Sequence, residues 1–492
     1  MAHKQDQTPL FSGLKKYAAK KPLPFHIPGH KRGRGMDETF RAFMGEDALS
    51  IDLINLAPLD DLHHPHGMID EAQQLAAQAF GADYTFFSVQ GTSGAIMTMI
   101  LSICGPGDKI IVPRNVHKSV MSAIIFSGAL PVFVHPELDE KLGIAHGITT
   151  DSLQRAIASH PEAKAVFVIN PTYFGFSCDL RAIVELAHEA GMPVLVDEAH
   201  GVHIHFHSSL PPSAMEAGAD LAATSVHKLG SSLTQSSVLN VREGLVSIDR
   251  VTAILSMLTT TSTSYLLLAS LDVARKHLAT RGPSLINETI QLAEQARVEI
   301  NDIDGLYCVG EERLHSTATY ALDPTKLLIS LKGLTINGYE AEVWLRNTHN
   351  IEVELSDLYN ILCIITIGDT KKELTTLVNA LAEMASLYAK DEQERENVDV
   401  HVPDTPTLAL SPRDAFYAAT ENVPFDQSKG RIIAEFIMVY PPGIPILAPG
   451  ELITIENLDY VRENVEAGLP VQGPEDATLA TLKVIKEQQP IR

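Results

Sequence analysis

Val194-Leu195-Val196-Asp197-Glu198-Ala199-His200-Gly201 is followed twenty residues later by Ala222-Ala223-Thr224-Ser225-Val226-His227-Lys228-Leu229-Gly230. Val194–Val196 is a short apolar run of the kind that forms a strand buried on both faces, and it delivers Asp197 at its carboxyl end. Ala222–Ser225 repeats the pattern and delivers His227 and Lys228. In open α/β sheets, ligands sit in the crevice beyond the carboxyl ends of the strands. Two such strands therefore bring a carboxylate and a lysine to one cleft.

That pair has a specific chemical use. A lysine amine in a partly desolvated pocket forms a Schiff base with an aldehyde, and pyridoxal phosphate needs an acidic partner at its pyridine nitrogen. Asp197 is the expected partner of that nitrogen; the alternative is an ordinary strand-end aspartate beside a solvated lysine. A third requirement is a phosphate cradle, and Gln90-Gly91-Thr92-Ser93-Gly94-Ala95 meets it. Gly91 and Gly94 allow close backbone approach, Thr92 and Ser93 offer hydroxyls, and the helix that follows points N–H groups at the same spot. The same residues also suit a plain helix cap. His117, in P-R-N-V-H-K-S, follows another strand. It is either an imidazole that stacks on a cofactor ring or a histidine at a helix start.

Outward from these motifs the chain alternates strand and helix. Strands are expected at Thr85–Val89, Ile110–Val112, Val132–Val134 and Ala165–Ile169, and helices at Ala95–Ser102, Ser119–Ser127 and Leu180–Ala190. The alternation predicts an α/β fold with a mostly parallel sheet. Residues 1–35 contain Pro22, Pro24 and Pro28 and are expected to form an extended arm, either a floppy terminus or a segment laid across a support such as a neighbouring subunit. The division expected is an arm (1–35), a large domain (36–285), a small α/β domain (286–389), a charged linker (390–402) and a C-terminal domain (403–492). Strands of the small domain are expected at Leu327–Leu331, Glu352–Leu355 and Leu362–Ile367. The hydroxyl run Thr259–Ser264 either caps a helix or reaches a phosphate. Glu435 interrupts an apolar strand, either as an edge residue or as a partner for a cation.

Composition narrows the function classes. The chain has 492 residues, 45% hydrophobic, with a net charge of −23. That charge disfavours nucleic-acid and membrane partners and suits a cationic small molecule. No apolar run is long enough for a signal peptide or a membrane span, so a cytoplasmic location is expected. Four scattered cysteines read as buried thiols, not as disulfides or a zinc site. The alternating His203, His205 and His207 would share a face if extended, but no recognisable metal-ligand set completes them, and no metal is expected. Neither a dinucleotide fingerprint nor a P-loop occurs.

Together D-E-A-H-G, S-V-H-K-L, G-T-S-G, R-N-V-H-K-S, F-H-I-P-G-H-K and Y-P-P-G-I-P resemble the Orn/Lys/Arg decarboxylase family of fold-type I pyridoxal-phosphate enzymes across essentially the whole chain. Without an N-terminal wing domain, the chain looks like the short biosynthetic members of Bacillus-type bacteria. The resemblance implies a large aminotransferase-like domain, a smaller α/β domain and a C-terminal α+β domain. It implies decarboxylation of L-arginine to agmatine and carbon dioxide for polyamine (spermidine) synthesis, with lysine or ornithine as alternative substrates. It assigns Lys228 to the cofactor aldehyde, Asp197 to the ring nitrogen and His117 to the ring face. Thr92, Ser93 and Ser225 fall to the phosphate, with His200 and His227 flanking the ring. Sites of the family lie at a homodimer interface, so Thr261 or Ser262 is expected at the partner's phosphate. Glu435, Asp60 and Asp61 are the candidate partners of the substrate's distal cation. Aminotransferases of this fold usually clamp the substrate carboxylate with an arginine. The absence of arginine from Ile351–Lys371 favours decarboxylation over an aminotransferase, and the intact Lys228, Asp197 and His117 speak against a non-catalytic paralogue.

Overall fold

The computed structural model describes residues 2–390, 403–439, 444–466 and 469–487. Nearly all of the expected linker, and residues 440–443 of the Y-P-P-G-I-P motif, lie outside the described residues. Two compact units form, Met1–Ile103 with Gly191–Glu288, and Cys104–Ala190 with Thr289–Arg492. No helix among the described residues is long and apolar enough to cross a membrane.

In the first unit, Val194–Asp197 pairs parallel with Leu221–Thr224, and Asp197 stands opposite Ala223. Leu221–Thr224 pairs antiparallel with Ser237–Val241, which pairs antiparallel with Tyr84–Ser88. Every residue of the three strands Val194–Asp197, Leu221–Thr224 and Ser237–Val241 is buried, which is why the first two read as runs without alternation. The helix Gly91–Ile103 has seven buried residues and no strong polar face, so it belongs to the interior.

The N-terminal stretch departs from expectation. Pro9–Ala19 is helical, with Leu10 and Leu14 fully buried. Pro9 sits in the first turn, where a missing N–H costs nothing, and Pro22, Pro24 and Pro28 all lie beyond the helix end. Leu10 and Phe11 donate their N–H groups to Asp272, 3.0 and 3.2 Å away. Asp272 also pairs with Arg275, whose guanidinium donates to the carbonyls of Gln5 and Gln7. A buried ion pair thus completes the start of this helix from 262 residues away. The arm is therefore supported from within the chain over these residues.

The second unit holds the parallel strands Leu130–Val134, Lys109–Pro113 and Ala165–Ile169, with Lys109–Pro113 central. Helices Lys118–Ser127 and Leu180–Glu189 follow two of them. An antiparallel sheet runs Tyr307–Cys308, Lys326–Ser330, Asn360–Ile364, Leu355–Ser356, with helices Gly338–His349 and Lys371–Leu387 beside it in sequence. Leu327, Ile329, Ile361, Leu345 and Leu381 fill the core they share. Toward the C-terminus, strand pairs and the helix Ile455–Glu466 enclose Ile433, Ile437, Leu458 and Val484. Glu435 is not inside a strand: it occupies a bend before Ile437–Val439. The expected boundary at 285/286 falls within one continuous helix, Tyr265–Asn301.

Candidate active site

Asp197 is 5% exposed at the end of its strand, and its Oδ1 accepts the Ala199 N–H at 3.1 Å. Burial pushes its carboxyl up to about 6; the Ala199 N–H and the Lys228 charge pull the other way without cancelling it. Such a carboxylate is short of positive charge, and a protonated ring nitrogen is the kind of group that supplies it. The backbone then turns through Glu198 to His200, whose Nε2 lies 2.7 Å from Lys228 Nζ. Lys228 itself is exposed, on the short helix Val226–Leu229 that follows the neighbouring strand. An ammonium has only donors, so His200 accepts at Nε2.

The cradle gains a member that sequence reading missed. Thr92 Oγ1 bonds to Ser225 Oγ and lies 2.8 Å from Ser237 Oγ, so three hydroxyls meet at the start of the helix Gly91–Ile103. The antiparallel register places Ser88 opposite Ser237, which is how a residue so distant in sequence arrives there. Gly91 has φ +69°, and a Cβ on Gly94 would come within 2.7 Å of the Gln90 side chain. Ser93 is exposed at the helix start. Hydroxyls, a helix N-terminus and a side-chain-free backbone form the donor set that a phosphate ester takes. With Lys228 and Asp197 they fit pyridoxal phosphate.

Glu198 was also missed. Its buried carboxylate receives His205 Nε2 at 2.6 Å, Thr224 Oγ1 at 2.9 Å and the Ala214 N–H at 2.7 Å, which pins the turn between Asp197 and His200. His205 Nδ1 faces the Phe80 carbonyl. The segment around it is turn and 3-10 helix, not extended, so the alternating histidine face does not form. His227 Nδ1 lies 2.9 Å from the Ser236 carbonyl and donates to it, which leaves Nε2 as the basic nitrogen.

The carboxylates proposed for a distal cation differ in how occupied they are. Asp60 is 7% exposed and accepts N–H groups from Asp61, His66, Gly67, Ile69 and Asp70. Burial pushes its carboxyl up, but these donors outweigh it and hold the group below the usual range. Asp60 caps the helix Met68–Phe80, its two oxygens already accepting two and three N–H groups. Asp61 accepts one donor on each oxygen, from His63 N–H and Asn55. The hydroxyl run proves to be a connection between the helices Ile248–Leu258 and Tyr265–Asn301, with Thr261 and Ser262 exposed on it. His63 ties the Asp61 loop to the last turn of the helix Ile248–Leu258 through Ser256 Oγ and to this connection through the Thr260 carbonyl.

Two candidates belong to the second unit. His117 is exposed and caps the helix Lys118–Ser127, with Nδ1 2.8 Å from Ser119 Oγ. Glu435 accepts the Glu475 and Lys483 N–H groups, each at 2.7 Å, one per oxygen.

The description "Orn/Lys/Arg decarboxylase, major domain" matches residues 8–373, and "Orn/Lys/Arg decarboxylase, C-terminal domain" matches 395–470. The chain is 70% identical to the arginine decarboxylase of Halalkalibacterium halodurans, over 99% of this chain and 100% of the relative. It is 65% identical to the arginine decarboxylase of Bacillus subtilis, over 99% and 100%. The lysine decarboxylase LdcF of Francisella novicida superposes with a TM-score of 0.84 at 23% identity, over 98% of this chain and 82% of that one.

Proposed function

Because the chain belongs to the Orn/Lys/Arg decarboxylase family, we propose that it decarboxylates L-arginine to agmatine and carbon dioxide with pyridoxal phosphate as cofactor, feeding polyamine synthesis. The carrying observation for the chemistry is the pairing of Asp197 and Lys228 beyond the ends of two adjacent parallel strands. The carrying observation for arginine is full-length identity of 65–70% to relatives of that name.

Bound there, pyridoxal phosphate supplies an aldehyde that takes up an amine and a ring that draws electrons from the breaking bond. The side chains do the rest. Asp197 holds a proton at the ring nitrogen. Lys228 provides the amine, and His200 Nε2, 2.7 Å away, receives a proton from it. Thr92, Ser93, Ser225 and Ser237, with the N–H groups around Gly94, hold the phosphate, and Thr261 or Ser262 reaches that of the partner. His117 covers the ring face. Lys228 or His227 returns a proton to Cα, a task worth about 10²–10⁴ in rate. Asp61 and Glu435 are the carboxylates that keep lone pairs for a guanidinium, which reads two parallel acceptors where an ammonium reads one point.

The smallest active assembly in this reading is a homodimer. Leu23, Phe25 and Ile27 are 77%, 95% and 59% exposed, and Phe40 and Phe43 add 51% and 85%. Apolar surface gathered in one segment after the N-terminal helix is what a second copy would cover. A cytoplasmic setting suits four buried free thiols. The large, small and C-terminal domains set out from the sequence remain part of this proposal.

The test is kcat/KM for arginine, lysine and ornithine, with evolved carbon dioxide as readout. Lysine or ornithine turned over better than arginine sinks the substrate assignment. A keto acid in place of carbon dioxide sinks the reaction. Borohydride reduction should leave a pyridoxyl group on the peptide containing Lys228.

A further inference from the structure

Arg114 directly follows the strand Lys109–Pro113 and is 2% exposed, three residues before His117. Its two terminal nitrogens grip Glu451, which is fully buried: Nη1 to Oε1, and Nη2 to Oε2 at 2.8 Å. Nε donates to the Pro445 carbonyl at 2.9 Å and Nη2 to that of Ile446 at 3.3 Å. The guanidinium carbon stands 4.6 Å from the centre of the Phe133 ring. Glu451 Oε2 also accepts the Ala448 N–H at 2.8 Å. The segment from Ile444 to Glu451 is thereby fastened, by a forked and fully desolvated pair, to the residue that begins the His117 turn.

A buried ion pair of this kind is a poor device for stability alone, since apolar residues of the same volume often serve as well. What a fork adds is a fixed orientation. We propose that the Arg114–Glu451 clamp is a positioning device: the C-terminal segment sets the backbone of residues 114–117, and so the place of the His117 imidazole. Neither residue touches the reacting atoms. The inference rests on the reading of His117 as a ring-facing group.

The experiment compares four holoenzymes: parent, Arg114→Met/Glu451→Met, Arg114→Lys and His117→Ala. The double variant removes both charges without stranding one in the interior. Arg114→Lys keeps the charge but cannot bridge both oxygens, and it serves if the double variant does not fold. For either, the expected result is a cooperative melt, KM for arginine unchanged, kcat lower by about 10²-fold, and an altered visible circular dichroism of the bound cofactor. Amide hydrogen exchange in the peptide spanning 114–120 should speed up in the cofactor-free protein as well. Parental kcat and dichroism in a folded clamp variant, with His117→Ala impaired, overturn the clamp alone. Loss of kcat that only tracks loss of folded protein overturns it too. A fully active His117→Ala sinks the underlying reading and the clamp with it.

Discussion

The proton on Asp197 makes the clearest prediction at the level of one residue. Its pKa in the fold is about 6, above the ordinary 3.8, so between those values the folded chain binds a proton that the unfolded chain has lost. The associated stability is complete below pH 3.8 and is lost as pH rises through 6, a difference of about 3 kcal/mol. Asp197→Asn keeps the shape and never ionises. Without cofactor it should therefore resist denaturant better than the parent at pH 8, with the gap closing toward pH 4; a gap that ignores pH contradicts the assignment. With cofactor and substrate, turnover of the same variant should fall by about 10²–10³-fold, because a placed electrostatic partner has been removed. Asp197 and Lys228 were legible because each follows a short apolar run. Ser237 and Glu198 were not: the first arrives by antiparallel pairing from another strand, and the second is tied by Ala214, Thr224 and His205, contacts that spacing cannot reveal.

Among the elements, the helix Pro9–Ala19 depends on a distant pair. Asp272→Ala would leave Arg275 buried with its charge unmatched and two helix N–H groups without their acceptor. A loss of about 3–5 kcal/mol in unfolding free energy is expected, together with faster proteolysis of residues 5–19. Stability within 1 kcal/mol of the parent, an order-of-magnitude threshold, would show that the clasp is dispensable. This helix was hidden by proline content: prolines at 22, 24 and 28 belong to the stretch beyond its end, while Leu10 and Leu14, four apart, carry its buried face. The strands were easier. Ala165–Ile169 has the bounds expected, and the others named in the large domain shift by one or two residues at an end.

For the whole molecule, a net charge of −23 sets copies repelling one another, and an apolar surface must overcome that for them to associate. Phe25→Asp with Phe43→Asp should shift sedimentation from dimer toward monomer and reduce activity with it, and added salt should favour the dimer in both proteins. An unaltered dimer would place the interface elsewhere. The alternation of strand and helix was legible over most of residues 85–225, but the strand Ser237–Val241 and the way the chain leaves a unit and returns to it were not, because those are decided by contacts between residues far apart. The clasp on the N-terminal helix carries this into biosynthesis. Leu10 leaves the ribosome 262 residues ahead of Asp272, an interval of about 13–50 s at ordinary elongation rates. For that time the Pro9–Ala19 helix has no acceptor for its first N–H groups, and only elements made soon after it, such as the helix Met68–Phe80, can hold it. Ribosome-held chains that stop short of residue 272 should accordingly be cut within residues 5–19, and chains that extend well past Arg275 should be protected.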